Sequence, residues 1–200
     1  MRIAILFAIL AVFLSACLSP EERAQDQKVL SLQQTPEILK STLADGTVVS
    51  RDPNSFIEEH GTQVEYHAAD GRSFLWYPGN RSVVVGQWDV RADQNGRILL
   101  CYKYGNNTYN PVTQRRGGQW NCSRSDLQVS ELLIGNPFGL NAGPVPKIIP
   151  DRRPYYPEHI QIMLGRDPAT LRYVTGKPNR PRLAENYVDR VSEELSNAYN

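Results

Sequence analysis

The stretch VEYHAADGRSFLWYPGNRSVVVGQWDVRADQNGRILLCYKY, residues 64–104, decides the fold. Val64 and Tyr66 alternate with polar neighbours, and Asp70-Gly71 then turns the chain into the apolar and aromatic run Arg72 to Tyr77. Pro78-Gly79-Asn80 turns it again, and Ser82 to Val90 supplies Val83, Val84, Val85 and Trp88. A third turn, Asp93-Gln94-Asn95-Gly96, leads into Arg97 to Tyr104, and Gln119 to Arg124 has the look of one more strand. β-rich runs punctuated by Gly, Asn and Asp turns predict an antiparallel meander. The expected fold is therefore mainly β, a small antiparallel meander or barrel-like domain, with core volume from Trp76, Trp88 and Trp120.

Upstream, Thr35-Pro36-Glu37 reads as a helix start. Thr35 caps free N–H groups, Pro36 suits the first helical position and Glu37 suits the dipole. That short helix should end near Ala44, because Asp45-Gly46 signals a turn. Downstream of Gly135 the composition shifts, and nine of the fourteen prolines fall there. Proline lacks the N–H and fixes φ, so long helices and central strands are excluded over 136–181. This stretch is expected as an extension lying over the domain or loosely ordered. Leu183, Tyr187, Val191 and Leu195 recur every four residues, which predicts an amphipathic C-terminal helix over 182–200 that packs on the domain or on a partner. The β-rich domain is expected to span 35–135.

The net charge is +1, and Arg2 is the one basic residue of the first sixteen, so the side chains beyond that segment carry no net charge. A neutral chain lacks the concentrated basic surface that nucleic acid requires, and it has no polybasic stripe for anionic lipid. Membrane association must come from the start of the chain. Arg2 precedes the unbroken apolar run Ile3 to Leu14, followed by Ser15, Ala16 and Cys17. A charged start, a short apolar run and small residues make a secretory signal peptide over 1–16. Twelve helical residues reach only about 18 Å, against a hydrocarbon core of about 30 Å, so a retained span is the weaker reading.

Leu14-Ser15-Ala16-Cys17 resembles the lipobox of bacterial lipoproteins, in which the cysteine is acylated and becomes the new N-terminus. The resemblance implies a palmitate-type acyl anchor on Cys17, residues 17–34 as a polar tether, and a membrane partner reached through lipid. Two or three acyl chains give lasting anchorage where one does not. Leu18 after the cysteine, by resemblance to the sorting rule of Gram-negative lipoproteins, favours the periplasmic face of the outer membrane. With Cys17 committed to lipid, Cys101 and Cys122 remain, 21 positions apart. That is neither metal-finger nor redox spacing. A structural disulfide suits an oxidising compartment and would contribute roughly 3 kcal/mol; two buried thiols are the alternative.

From Leu75 to Cys122 the chain resembles the bacterial domain-of-unknown-function family numbered 995. The residues that carry the likeness are Gly86-Gln87-Trp88, Leu100-Cys101-Tyr102, the loop Asn107 to Thr113, and Trp120-Asn121-Cys122. The resemblance implies a small β-structured envelope domain and no activity.

Chemistry is sparse. His60 and His67 could join Glu58 or Glu59 around a metal, but a seven-residue gap fits neither a helical pair nor one strand face. Arg91-x-Asp93-x-Asn95-Gly96 resembles part of a calcium loop, yet lacks its first acid and its final glutamate. Glu65, Asp70 and Asp89 read as solvated strand and turn residues. No catalytic residue, metal or cofactor is implied. The distinctive element is the loop from Tyr102 through Tyr104, Asn107 and Tyr109 to Arg115, with Trp120 beyond it. Tyrosine and asparagine make adaptable contacts at low entropic cost, as binding loops do, although Tyr102 and Tyr104 also alternate as packed strand residues would. The expected role is non-enzymatic: an envelope domain that binds a protein or glycan partner. A carrier of an apolar ligand would need a hollow apolar interior, and a hydrolase two facing carboxylates or a polarised histidine.

Overall fold

The computed structural model describes residues 35–50, 60–124, 131–149 and 155–175, together with Ala24. The signal segment 1–16, Cys17, the rest of the tether and the C-terminal helix 182–200 lie outside the described residues. Thr35 Oγ1 accepts the Ile38 N–H at 3.2 Å and opens helix α1, Pro36–Leu43, whose Leu39 and Leu43 are fully buried. Asp45, at φ 55°, turns the chain into β1, Gly46–Ser50.

The strands that follow are β2 (Gln63–His67), β3 (Arg72–Trp76), β4 (Val84–Ala92), β5 (Ile98–Tyr104), the two-residue strands β6 (Tyr109–Asn110) and β7 (Arg115–Arg116), β8 (Asn121–Arg124), β9 (Leu132–Ile134) and β10 (Tyr173–Thr175). Eight of them form one antiparallel sheet in the order β10-β9-β1-β2-β3-β4-β5-β8, curled into a half-barrel, while β6 and β7 pair separately. The meander from β2 to β5 follows the turns that the sequence marks. Gly71 and Gly96 take positive φ in the tight turns, and Asp93 Oδ1 accepts the N–H groups of Asn95 and Arg97. Asp93 is thus the turn former that the sequence indicates, not a calcium-loop ligand. Three strands of the eight-stranded sheet were not foreseen. β1 is a five-residue strand with a glycine at its head, and β9 and β10 have three residues each, too short to show a period.

Directly paired residues of an antiparallel sheet share a face. Val48, Glu65, Leu75 and Val84 therefore line up on the concave side, joined by Trp88 with Tyr102 and Val90 with Leu100. Helix α1 fills one end of this concavity, packing Leu39 and Leu43 against Val48, Trp88, Val90, Leu100 and Leu132. The convex side carries Val49, Val64, Phe74, Trp76 and Leu133, and here the proline-rich stretch enters the core. Phe138, Leu140, Ile149, Tyr155, Ile160 and Leu171 belong to the same buried cluster as Trp76. Across the boundary expected after Gly135 the sheet continues, since β9 pairs with β1 on one side and with β10 on the other. The prolines are accommodated as the physics of proline allows: Pro157 opens the seven-residue helix α2 (Pro157–Met163), Pro168 opens a single 3-10 turn, and β10 is an edge strand.

Cys101 and Cys122 are disulfide-bonded and directly opposed across β5 and β8. Trp76 and Trp88 are buried, as expected. Trp120 is not a core residue: it is half-buried, with the Arg91 guanidinium 4.2 Å from its ring centroid.

Candidate ligand-binding cleft

Helix α1 occupies only one end of the half-barrel. The other end is an open cleft of about 680 Å³, within the range of small-molecule sites. Its floor is the concave face of β1 to β5: Val48, Gln63, Glu65, Leu75, Tyr102 and Tyr104. Its far wall is the loop between β5 and β8, folded into the β6–β7 ribbon and bringing Tyr109, Asn110, Arg115 and Arg116 to the cleft. The ribbon is pinned at its base, where Gly117 N–H donates to Thr108 O at 3.1 Å and Gly118 N–H to Tyr104 O at 2.8 Å. A Cβ at Gly117 would collide with the Gly105 carbonyl, and Gly118 takes φ +96°, so both positions require glycine.

Glu65 is the centre of the floor. It is 8% exposed, and Tyr104 Oη donates to its Oε1 at 2.7 Å. Burial pushes the carboxyl up to about 7, against the opposing pull of that hydrogen bond. His67, two residues on and on the same face, is fully buried; desolvation drives it down to about 3, so the ring is neutral. Its Nε2 lies 2.8 Å from Tyr102 Oη, and its ring stacks on Tyr102 while meeting Trp88 edge-on. Burial and the Glu65 charge together hold both tyrosine hydroxyls well above their ordinary range. Gly86 makes the Tyr104 position possible. The two are direct strand partners, and a Cβ there would come within 2.6 Å of Tyr104 Cδ1.

Of the six residues the sequence singled out for binding, Tyr102, Tyr104, Tyr109, Arg115 and Trp120 line this cleft. Asn107 does not. It borders a separate hollow of about 510 Å³ with Val85 and Gly105, behind the ribbon. Trp120 contributes to the wall but gives a ring face to Arg91, which leaves Tyr109, 57% exposed, as the more available aromatic surface. The sequence reading missed Glu65, which it placed among solvated residues, and weighed His67 only against a metal site. The signal that could have found them is a shared phase: Gln63, Glu65 and His67 alternate as regularly as Val64 and Tyr66, and both faces of β2 are covered.

The remaining candidates resolve into ion pairs and satisfied rings. Asp70 pairs with Arg72 at 2.7 Å, and Asp89 with Lys40 at 2.7 Å and Arg91 at 3.0 Å. His60 Nδ1 lies 3.1 Å from Tyr77 Oη. Among the described residues no group of three or more His, Cys, Asp or Glu is placed to hold a metal, and no helix is long and apolar enough to cross a membrane. No family model matches the chain, and no match is found among curated proteins or solved structures. The likeness over Leu75 to Cys122 accordingly stands on its quoted residues alone.

Proposed function

We propose that the chain is a lipid-anchored domain of the cell envelope, facing the periplasm from the outer membrane, whose half-barrel cleft binds a small ring-bearing polar ligand, an envelope glycan fragment, without transforming it. The observation that carries the binding reading is the cleft itself, with a buried carboxylate and tyrosine hydroxyls at the floor and an exposed tyrosine on the wall. A saccharide offers a flat apolar ring face to Tyr109 and hydroxyls to Gln63, Glu65 and Asn110. Glycoside hydrolysis calls for a pair of carboxylates, and Glu65 is the single acid among the described residues that line the cleft. Its presence there also disfavours a purely apolar cargo. The compartment is supported by the lipobox-like Leu14 to Cys17 and by the disulfide, a bond that oxidising spaces permit.

Replacing Cys17 by Ser should move the protein from the membrane to the soluble periplasmic fraction; unchanged fractionation would refute the anchor. For the cleft, titration of N-acetylglucosamine oligomers and of lipopolysaccharide core oligosaccharide should shift the backbone resonances of Tyr104, Tyr109 and Asn110. Tyr109→Ala should weaken that binding by about tenfold, the loss typical of one aromatic anchor. Absence of shifts in the cleft with either saccharide, or cleavage of the oligomers, would overturn the reading.

A further inference from the structure

Glu65 is set apart from the other acids of the sheet. Asp70, Asp89 and Asp93 each have a lysine or arginine at 3.0 Å or closer and are partly exposed. Glu65 is far more deeply buried, and no cationic side chain among the described residues pairs with it. A buried carboxylate without a counter-ion is costly, so either a proton or an incoming cation must balance it. The surrounding surface suits a cation. Tyr102 and Tyr104 lie nearly parallel, with ring centroids 6.1 Å apart and 7° between planes, and bring two hydroxyl oxygens beside the carboxylate.

The mouth has the opposite polarity. Arg115 and Arg116 are consecutive, exposed, and both line the cleft, and no acid pairs with either among the described residues. The ribbon that carries them is tied to Tyr104, whose carbonyl accepts Gly118 N–H at 2.8 Å and whose hydroxyl reaches Glu65. Acid floor and basic rim are thus held in one frame without touching each other. We propose that the cleft takes a dipolar ligand end-on, with an ammonium group seated on Glu65 and an acidic group gripped by Arg115 and Arg116. This deepens the reading of the cleft as a ligand site and rests on it. A saccharide bearing amino-acid substituents has the required chemistry, and a guanidinium fork is the natural partner of its carboxylate.

The probe is 6-aminohexanoate, with hexylamine and hexanoate as one-ended controls, titrated into the full chain in detergent and followed by the same amide resonances. The dipolar probe should bind about tenfold more tightly than either control. Glu65→Gln should cost the dipolar probe and hexylamine about tenfold and leave hexanoate unchanged. The double variant Arg115→Ala, Arg116→Ala, on an exposed ribbon, should reduce the dipolar probe to the level of hexylamine. Equal binding of all three probes, indifference to Glu65→Gln, or indifference to loss of both arginines would overturn the proposal. Saccharide shifts without probe shifts would sink the dipolar ligand alone; no shifts from saccharide or probe would sink the cleft reading as well.

Discussion

Glu65→Gln is expected to expose a loss of stability on acidification that the native protein conceals. Glu65 titrates near 7 in the fold against 4.5 outside it, so the fold favours its neutral form. That contribution is complete below about 4.5 and disappears as pH rises through 7, a difference of about 3 kcal/mol. His67 runs the other way. Lowered from 6.5 to about 3, it also favours its neutral form, so its contribution is complete above 6.5 and is lost as pH falls towards 3, by about 5 kcal/mol. Between 4.5 and 6.5 the two slopes are opposite and each about 1.4 kcal/mol per pH unit, so they cancel. Folding hands one proton to Glu65 as His67 gives one up. With Gln at 65 only the histidine slope survives, and stability should drop by about 3 kcal/mol from pH 6.5 to 4.5. His67→Gln should show the mirror image, losing stability as pH rises from 4.5 to 7. Urea melts of the three proteins across this range would measure the slopes, and parallel profiles in all three would dismiss the compensating pair.

Trp76→Ala should be the most damaging single substitution in the convex core. Trp76 is 1% exposed and meets Phe138 edge-to-face, ring centroids 6.1 Å apart. Truncating a buried tryptophan costs about 3–5 kcal/mol, from lost transfer energy and an unfilled cavity. Phe138, 1% exposed and rooted in the proline-rich stretch, should cost a similar amount. Because each ring forms the wall of the other's site, the double variant should lose about 1 kcal/mol less than the two singles together. Additive losses, or a Phe138→Ala variant as stable as the native protein, would mean that residues beyond Gly135 fold apart from the sheet.

The meander was legible because its turns are written in residues with a mechanism. Asp70-Gly71 and Asp93 to Gly96 supply positive φ and carboxylates that cap their own backbone, while Val and Trp fill the runs between them. The capped start of α1 was legible for the same reason. What stayed hidden is tertiary. Thr47-Val48-Val49 forms an interior strand because β9 returns to it from some 85 positions away, and no local pattern announces such a partner. Proline density suggested a loose cover, yet proline restricts only the backbone; Phe138, Tyr155 and Ile160 remained free to bury their side chains. The aromatic loop was recognised by composition, and most of it does reach the cleft. Glu65 escaped notice because polar residues in an alternating strand are read as solvent-facing, an assumption that fails when both sides of a sheet are roofed.

The sheet never closes: β10 and β8 are its two free margins, and they do not bond to each other. In a sealed barrel, strand number and stagger dictate the bore. Here no ladder sets the girth, and the curl is braced from inside by Leu39 and Leu43 at one pole, while the other pole stands open. On the proposed reading, guest and helix would act as two wedges in one split ring, and the width of the gape would become a property of its contents.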